Sequence, residues 1–377
     1  MSARIAYFSD ALLKRKQYGL SRYAWSLLYE LRALGSDIFP VAAQSELAPG
    51  DLRAVEERYD LERIPGTRRL VAGAWSYLGR PALERFTSEF DVLHNVELSY
   101  VVPTNRPWIT TVHDIGPLTH PEWFGASRLG LKKKALAFAA KKADVIIAVS
   151  EATADAIHSY TDGAVGDRLR VIPEGVNASD FAQAPAITDA GIEAMKGVDA
   201  PFFLWTGSKL NPRKNLLRVI EAFEQLDALP HYLVIAGGVG WDSGDLLKRV
   251  EASPKAARIV RTGYVSDEQL RALYHAAEAF LYVSLMEGFG LPILEAMASG
   301  CPVITSNCSS MPEVAGDAAL LVDPYSVQDI AEAAHSIATQ PTLQSDLVRR
   351  GHERVALFDW STCASRTAEL YTSVSRK

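Results

Sequence analysis

The chain has 377 residues, 48% of them hydrophobic and 22% charged, with a formal net charge of −6. That composition is ordinary for a globular protein, and the length suits two cores of roughly 150–190 residues rather than one. The acidic balance excludes general nucleic-acid binding. Three cysteines (Cys301, Cys308, Cys363) without metal-ligand spacing fit reduced thiols, and no apolar run is long enough to span a bilayer. With no secretory signal pattern either, a cytoplasmic or peripheral membrane location is expected. Residues 1–180 hold 22 basic and 22 acidic side chains, so the whole deficit falls on the remainder.

Residues 4–8 (RIAYF) suit a buried strand. A polar loop, SDALLKRKQYG, leads to LSRYAWSLLYELRALG, where apolar residues recur at helical spacing and stop at Gly35. Strand, loop and helix in that order open a parallel α/β domain. Gly19 stands at the loop-to-helix junction, where backbone can approach a ligand. No G-x-G-x-x-G is present, so a dinucleotide fingerprint is absent. Residues 37–43 read as the next strand and 44–90 as mixed helix and loop.

FDVLHN ends a strand at His94, and PWITTVHD ends another at His113 and Asp114. Open α/β sheets bind ligands outside the carboxyl ends of their strands, which makes His113 a functional candidate and leaves His94 and His120 structural. Lys132, Lys133, Lys134, Lys141 and Lys142 crowd a helical stretch beside Leu129, Leu131, Leu136 and Phe138. That stretch is either a solvated charged face or a basic amphipathic helix resting on an anionic membrane. ADVIIAVS (143–150) is a strand followed by Ser150 as a helix N-cap, and RLRVIPEGVN (168–177) is a strand ending in a turn. Residues 178–200 lose periodicity and carry Pro, Gly and Asp, marking a linker.

The alternation then restarts. FFLWTG, YLVIAGG, ARIVRTGYV, AFLYVS, PVITSN and AALLVD read as strands. LLRVIEAFEQL and SDEQLRALYHAAE read as helices, the latter capped by Ser266 with Glu268 and Gln269 near its third position. Helices follow over 327–356, and FDWSTCASRTAELYTSV forms a terminal one. Two α/β halves joined by a linker make a two-domain molecule with a cleft between.

The most informative stretch is SLMEGFGLPILEAMASG (284–300). Gly288 and Gly290 flank Phe289 and free the backbone there, Pro292 suits the first position of a helix, and Gly300 suits its end. A glycine turn feeding a helix N-terminus directs free amides at one point and binds phosphate. Glu287 and Glu295 frame it. Sugar or ribose hydroxyls are the natural partners for such acids, although the macrodipole alone would also favour Glu295 in a first turn. In the loop after residues 202–207, Arg213 and Lys214 could neutralise a diphosphate leaving group. Gly263-Tyr264-Val265 offers backbone N–H and C=O to a nucleobase edge.

The E-x7-E spacing with GFGLP between the acids resembles the retaining glycosyltransferases of family four, which have the GT-B fold. PRKN (212–215), GGVGW (237–241), GYVSDEQLRALY (263–274) and SSMPEVAGDAALLVDP (309–324) carry the likeness, as do GLSRYAWSLLYEL (19–31) and TVHDIGPLTHPEWF (111–124). The branch is similar to bacterial GDP-mannose-dependent mannosyltransferases that build polysaccharide and lipid-linked glycans. The resemblance implies two Rossmann-like domains, 1–178 for the acceptor and 179–354 for the nucleotide sugar, with 355–377 crossing back as a helix onto the first. It implies that Glu287 contacts the donor sugar and Glu295 the ribose. Lys214, Arg213 and the amides of Gly288, Phe289, Gly290 and Leu291 would hold the diphosphate, and Tyr264 and Val265 would border the base. His113 would lie near the sugar, with Gly19 approaching the phosphates. Relatives often carry an arginine after the glycine at 207. This chain has Ser208 and then Lys209, so either Lys209 or Arg213 supplies that charge or phosphate binding is weaker here.

The implied reaction transfers a hexose with retention and needs no metal, because helix amides, Lys214 and Arg213 stabilise the leaving diphosphate and no D-x-D motif stands in a suitable loop. Expected partners are a nucleotide sugar and a glycan or lipid-linked acceptor. The competing readings are a UDP-hexose transferase, a nucleotide-sugar epimerase and a non-catalytic nucleotide-sugar-binding subunit.

Overall fold

A computed structural model of the chain describes residues 3–15, 19–66, 68–124, 129–183, 198, 200–207, 211–237 and 243–376. The chain divides into two compact units, Met1–Gly175 with Trp360–Lys377 and Val176–Asp359.

The first unit is built on seven parallel strands: β1 (Ile5–Phe8), β2 (Ile38–Ala42), β3 (Glu62–Arg63), β4 (Val92–Asn95), β5 (Trp108–Val112), β6 (Val145–Ala148) and β7 (Leu169–Val171). They lie in the order β3-β2-β1-β4-β5-β6-β7, a doubly wound sheet with its switch point between β1 and β4. Every residue of β1, β2, β4, β5 and β6 is buried, as strands covered by helices on both faces require. The segment after β1, read as a polar loop, instead folds Asp10–Leu13 into a buried 3₁₀ turn capped by the Ser9 side chain. Its leucines have apolar company, and the Asp10 carboxylate is satisfied by the amides of Ala43 and Gln44 and by the Tyr100 hydroxyl.

Leu129–Lys142 is helical, and its Leu131, Leu136 and Phe138 pack on the core while Lys133, Lys134, Lys141 and Lys142 face outward. Its apolar side is therefore spent on the fold, leaving a charged outer face. Among the described residues no helix is long and apolar enough to cross a membrane. The terminal helix Trp360–Ser375 belongs to the first unit. There Trp360 packs against Tyr23 at 5.5 Å, and the Tyr371 hydroxyl meets His94 Nδ1 at 2.7 Å. His94 is buried between Tyr371 and Thr111, and burial first, with the neighbouring His113 charge second, pushes its pKa down to about 3.

The second unit has six parallel strands: β8 (Phe202–Thr206), β9 (Tyr232–Ala236), β10 (Ile259–Gly263), β11 (Ala279–Tyr282), β12 (Val303–Ser306) and β13 (Ala319–Val322). Their order, β10-β9-β8-β11-β12-β13, repeats the doubly wound plan with its switch point between β8 and β11. A single core of Phe203, Trp205, Leu233, Ile235, Leu281 and Ile304 with the flanking helices holds it. Of the expected linker, Ala178–Phe181 forms a short helix, and most of the stretch from there to residue 200 lies outside the described residues.

Candidate active site

The candidate side chains of the second unit gather at its switch point. β11 runs into Ser284–Gly290, and Gly290, at φ +120°, turns the chain into the helix Leu291–Ala298. The helix starts one residue before Pro292, which occupies its second position, where its missing N–H is equally harmless. A Schellman pair closes it, with Gly300 N–H on Met297 O and Cys301 N–H on Ala296 O. Glu295 therefore sits in the second turn, not the first, and is 3% exposed. The macrodipole does not account for it. The Tyr274 hydroxyl donates to its carboxylate at 3.4 Å.

Glu287 is 8% exposed and lies between two cations. Arg213 Nη1 approaches its Oε2 at 2.5 Å and Lys214 Nζ its Oε1 at 2.6 Å. Burial pushes the carboxyl up, but the Arg213 and Lys214 charges with their hydrogen bonds outweigh it and hold the pKa down at about 2. Oε1 is itself buried, with the Lys214 ammonium as its close partner. The expected diphosphate cations thus stand partly neutralised by the acid expected to hold the sugar, leaving one net positive charge.

Local sequence explains why these groups meet. Asn211 caps Pro212–Lys214 by accepting the Arg213 N–H, and Asn215 takes the left-handed conformation that Asn tolerates, at φ 60°. The Asn215 amide then donates to Val283 O at 3.0 Å and to Pro324 O, tying the basic turn to the end of β11. Lys214 also donates to the buried Tyr282 hydroxyl at 2.9 Å. On the other side, Ser309 Oγ accepts from Glu287 N–H and donates to Glu287 O, and Ser310 Oγ donates to Phe289 O at 2.6 Å. These serines hold the loop's carbonyls on one side. The sequence signal for them is the adjacent hydroxyl pair at the start of SSMPE.

Backbone fills the neighbouring strand ends. Gly237 N–H donates to Gly263 O at 2.8 Å, and a Cβ on Gly237 would fall 1.8 Å from Gly207 O. Only glycine fits there. Tyr264 is half exposed and Val265 partly buried in the turn after β10, just ahead of the helix Asp267–Ala276, whose Ser266–Gln269 capping box puts Gln269 at the third position. Ser208 and Lys209 lie outside the described residues.

His113 and Gly19 belong to the first unit. Gly19 opens the helix Gly19–Ala33 and is exposed. His113 follows β5 with both ring nitrogens engaged: Nδ1 lies 2.9 Å from Glu174 Oε1 and Nε2 3.0 Å from Val96 O. Burial lowers its pKa, but the Glu174 hydrogen bond and charge, with smaller help from Val96 O and Asp114, raise it overall. Glu174 is 6% exposed. No motif drew attention to it. Its signal was an acid just past a strand, in the PEG turn after β7.

The residues 18–180 match the model of Glycosyltransferase Family 4 and residues 196–354 that of Glycosyl transferases group 1. The O-antigen chain mannosyltransferase B of Escherichia coli is 34% identical over 70% of this chain and 69% of its own length. The chain belongs to the group 1 family of glycosyltransferases. As a glycosyltransferase of this family it has the GT-B fold: the structure of Anabaena Alr3699/HepE in complex with UDP-glucose superposes with a TM-score of 0.72 over 98% of this chain and all of that one, at 18% identity. A serotype-specific mannosyltransferase, WbdA, of Escherichia coli is 30% identical over 74% of this chain, which spans only 35% of it.

Proposed function

We propose that this glycosyltransferase moves a mannosyl unit from GDP-mannose to a hydroxyl of a polysaccharide or lipid-linked saccharide, retaining the anomeric configuration and using no metal ion. The observation that carries the reading is the Arg213–Lys214–Glu287 cluster, placed beside a glycine turn and a helix N-terminus at the sheet's switch point. Mannosyl transfer itself rests on what the relatives named above are said to do.

In the reaction, Arg213, Lys214 and the amides from Phe289 to Leu291 take the diphosphate. Glu287 accepts donor-sugar hydroxyls and Glu295 the ribose hydroxyls. The C1–O bond to phosphate breaks, the acceptor oxygen bonds to C1 on the same face, and its proton passes to the departing diphosphate. A carboxylate with a pKa of about 2 is too weak a base to take that proton at neutral pH, which favours the phosphate as acceptor and Glu287 as a fixed hydrogen-bond partner. Positive charge from Arg213 and Lys214 serves where a metal otherwise would.

The acceptor sugar is assigned to a cavity of about 480 Å³ in the first unit, at the carboxyl ends of β1, β2 and β3, lined by Asp10, Lys14, Gln44, Glu46 and Arg63 among others. Polar groups ring it and Leu47 and Leu52 supply apolar surface, a mixture suited to a pyranose. Lipid-linked acceptors would be met at the cytoplasmic face of the membrane, with the outward lysines of Leu129–Lys142 toward anionic headgroups.

A thermal-shift panel of GDP, UDP, ADP and dTDP with their sugars, run in EDTA, tests the donor. A ligand at a hundred times its dissociation constant stabilises by about 2.7 kcal/mol. Protection by GDP and GDP-mannose alone, lost in Lys214→Ala and Glu295→Ala, is the expected outcome. Protection by UDP makes the donor a UDP-hexose. Protection without transfer to any acceptor points to an epimerase or a binding subunit, and no protection removes the donor site as described.

A further inference from the structure

Three separate elements of the first unit converge on the His113 ring, and a fourth holds its backbone. Nε2 faces the carbonyl of Val96, just past β4, and Nδ1 faces the Glu174 carboxylate, just past β7. The Tyr23 ring, from the helix Gly19–Ala33, meets it edge-on at 4.5 Å. The Thr153 hydroxyl donates to its backbone carbonyl at 3.4 Å. Glu174 is 7% exposed at its side chain and His113 20%.

A backbone carbonyl has no proton to give, and an ionised carboxylate has none either. Both ring nitrogens must therefore donate, which only the doubly protonated imidazolium can do. The other titratable groups facing the ring are Asp114, which favours the same charge, and His94 and Tyr23, which are buried and neutral at pH 7.

We propose that Glu174 is a positioning residue that holds His113 as a fixed imidazolium, so that His113 offers positive charge and no proton acceptor at the end of β5. The proposal rests on the reading of His113 as facing the transferred sugar. It assigns the histidine the part of a fixed cation and bars it from serving as the base.

The test uses the full chain labelled with ¹⁵N-histidine, without donor, at pH 7, with the His113 signals identified by their loss in His113→Gln. Long-range proton–nitrogen correlations are expected to show both His113 nitrogens protonated in the wild type and one bare in Glu174→Gln. With donor and acceptor present, Glu174→Gln should lower kcat about tenfold at pH 8 and move the alkaline limb of the kcat profile to lower pH, with KM for the donor within about twofold. Glu174→Asp, which keeps the charge, should restore the limb. A bare His113 nitrogen in the wild type at pH 7 overturns the proposal, as does a Glu174→Gln profile that superimposes on the wild type. If no sugar is transferred by the wild type, the functional reading has failed, and the nitrogen signals still decide the state of the pair. Should Glu174→Gln not fold, the wild-type spectrum alone remains decisive.

Discussion

The two sheets share one strand plan, yet they finish the carboxyl ends of their strands in different ways. In the second unit, backbone and small hydroxyls (Gly237 against Gly207, Gly263, Gly290, Ser309 and Ser310) surround one ionic cluster, Arg213 and Lys214 with Glu287. In the first they are large and titratable: Asp10 with Tyr100, His94 with Tyr371, His113 with Glu174. Backbone amides suit a phosphate, which looks the same on every nucleotide sugar. Side-chain networks suit a partner whose hydroxyl pattern must be distinguished. Under the proposed function, the common half of the transfer reaction would fall to the second unit and the selective half to the first.

The largest effect should come from breaking the charged cluster. Glu287→Ala leaves Arg213 and Lys214 buried beside each other, and should cost about 3 kcal/mol of stability in the second unit and abolish transfer, read by denaturant melts and product formation. A melt unchanged within about 0.5 kcal/mol would show the cluster to be solvated rather than buried.

Gly237→Ala should cost nearly as much, about 2–3 kcal/mol, because its Cβ collides with the Gly207 carbonyl. Gly19→Ala in the first unit, with nothing within 4 Å of the added methyl, should not destabilise, and differential scanning calorimetry of the two variants sharpens the contrast.

Acid separates the units by sign and window. His94, lowered to about 3 from 6.5, contributes stability that is complete above pH 6.5 and lost as pH falls toward 3. Glu287, lowered to about 2 from 4.5, contributes about 3 kcal/mol that is complete above pH 4.5 and lost as pH falls toward 2. His113 works the other way, its raised pKa adding stability that is lost as pH rises through it. Hydrogen exchange between pH 6 and pH 3 should therefore show β4 and the terminal helix losing protection before β11. The reverse order would remove His94 from the account.

Ser310→Ala should cost about 1–2 kcal/mol by freeing the carbonyl of Phe289, and should raise KM for the donor more than it lowers kcat, since the loop amides lose their aim. The smallest effect belongs to the surface: Lys134→Ala removes a cation–π contact to Tyr77 at 3.7 Å and should shift stability by about 0.5 kcal/mol.

Local sequence was enough to read every strand but the two-residue edge strand Glu62–Arg63, which has no apolar run to show it, together with the Ser150 and Ser266 caps from their spacing and the glycine loop of residues 287–300 from its punctuation. Each is determined by neighbours within a few residues. The sequence also made Glu287, Arg213 and Lys214 visible as separate candidates. Their union in one ion cluster was decided only by tertiary structure, because 74 residues separate Arg213 from Glu287 and the parallel sheet brings β8 beside β11. The same is true of Glu174 and His113, 61 residues apart, and of Tyr371 and His94, 277 apart. Glu295 shows the reverse error, where a local rule about acids near helix starts gave way to burial against Tyr274. Periodicity and capping act over a turn of helix or a pair of strand residues, whereas charge pairing in a low-dielectric interior depends on which strand ends the fold places side by side.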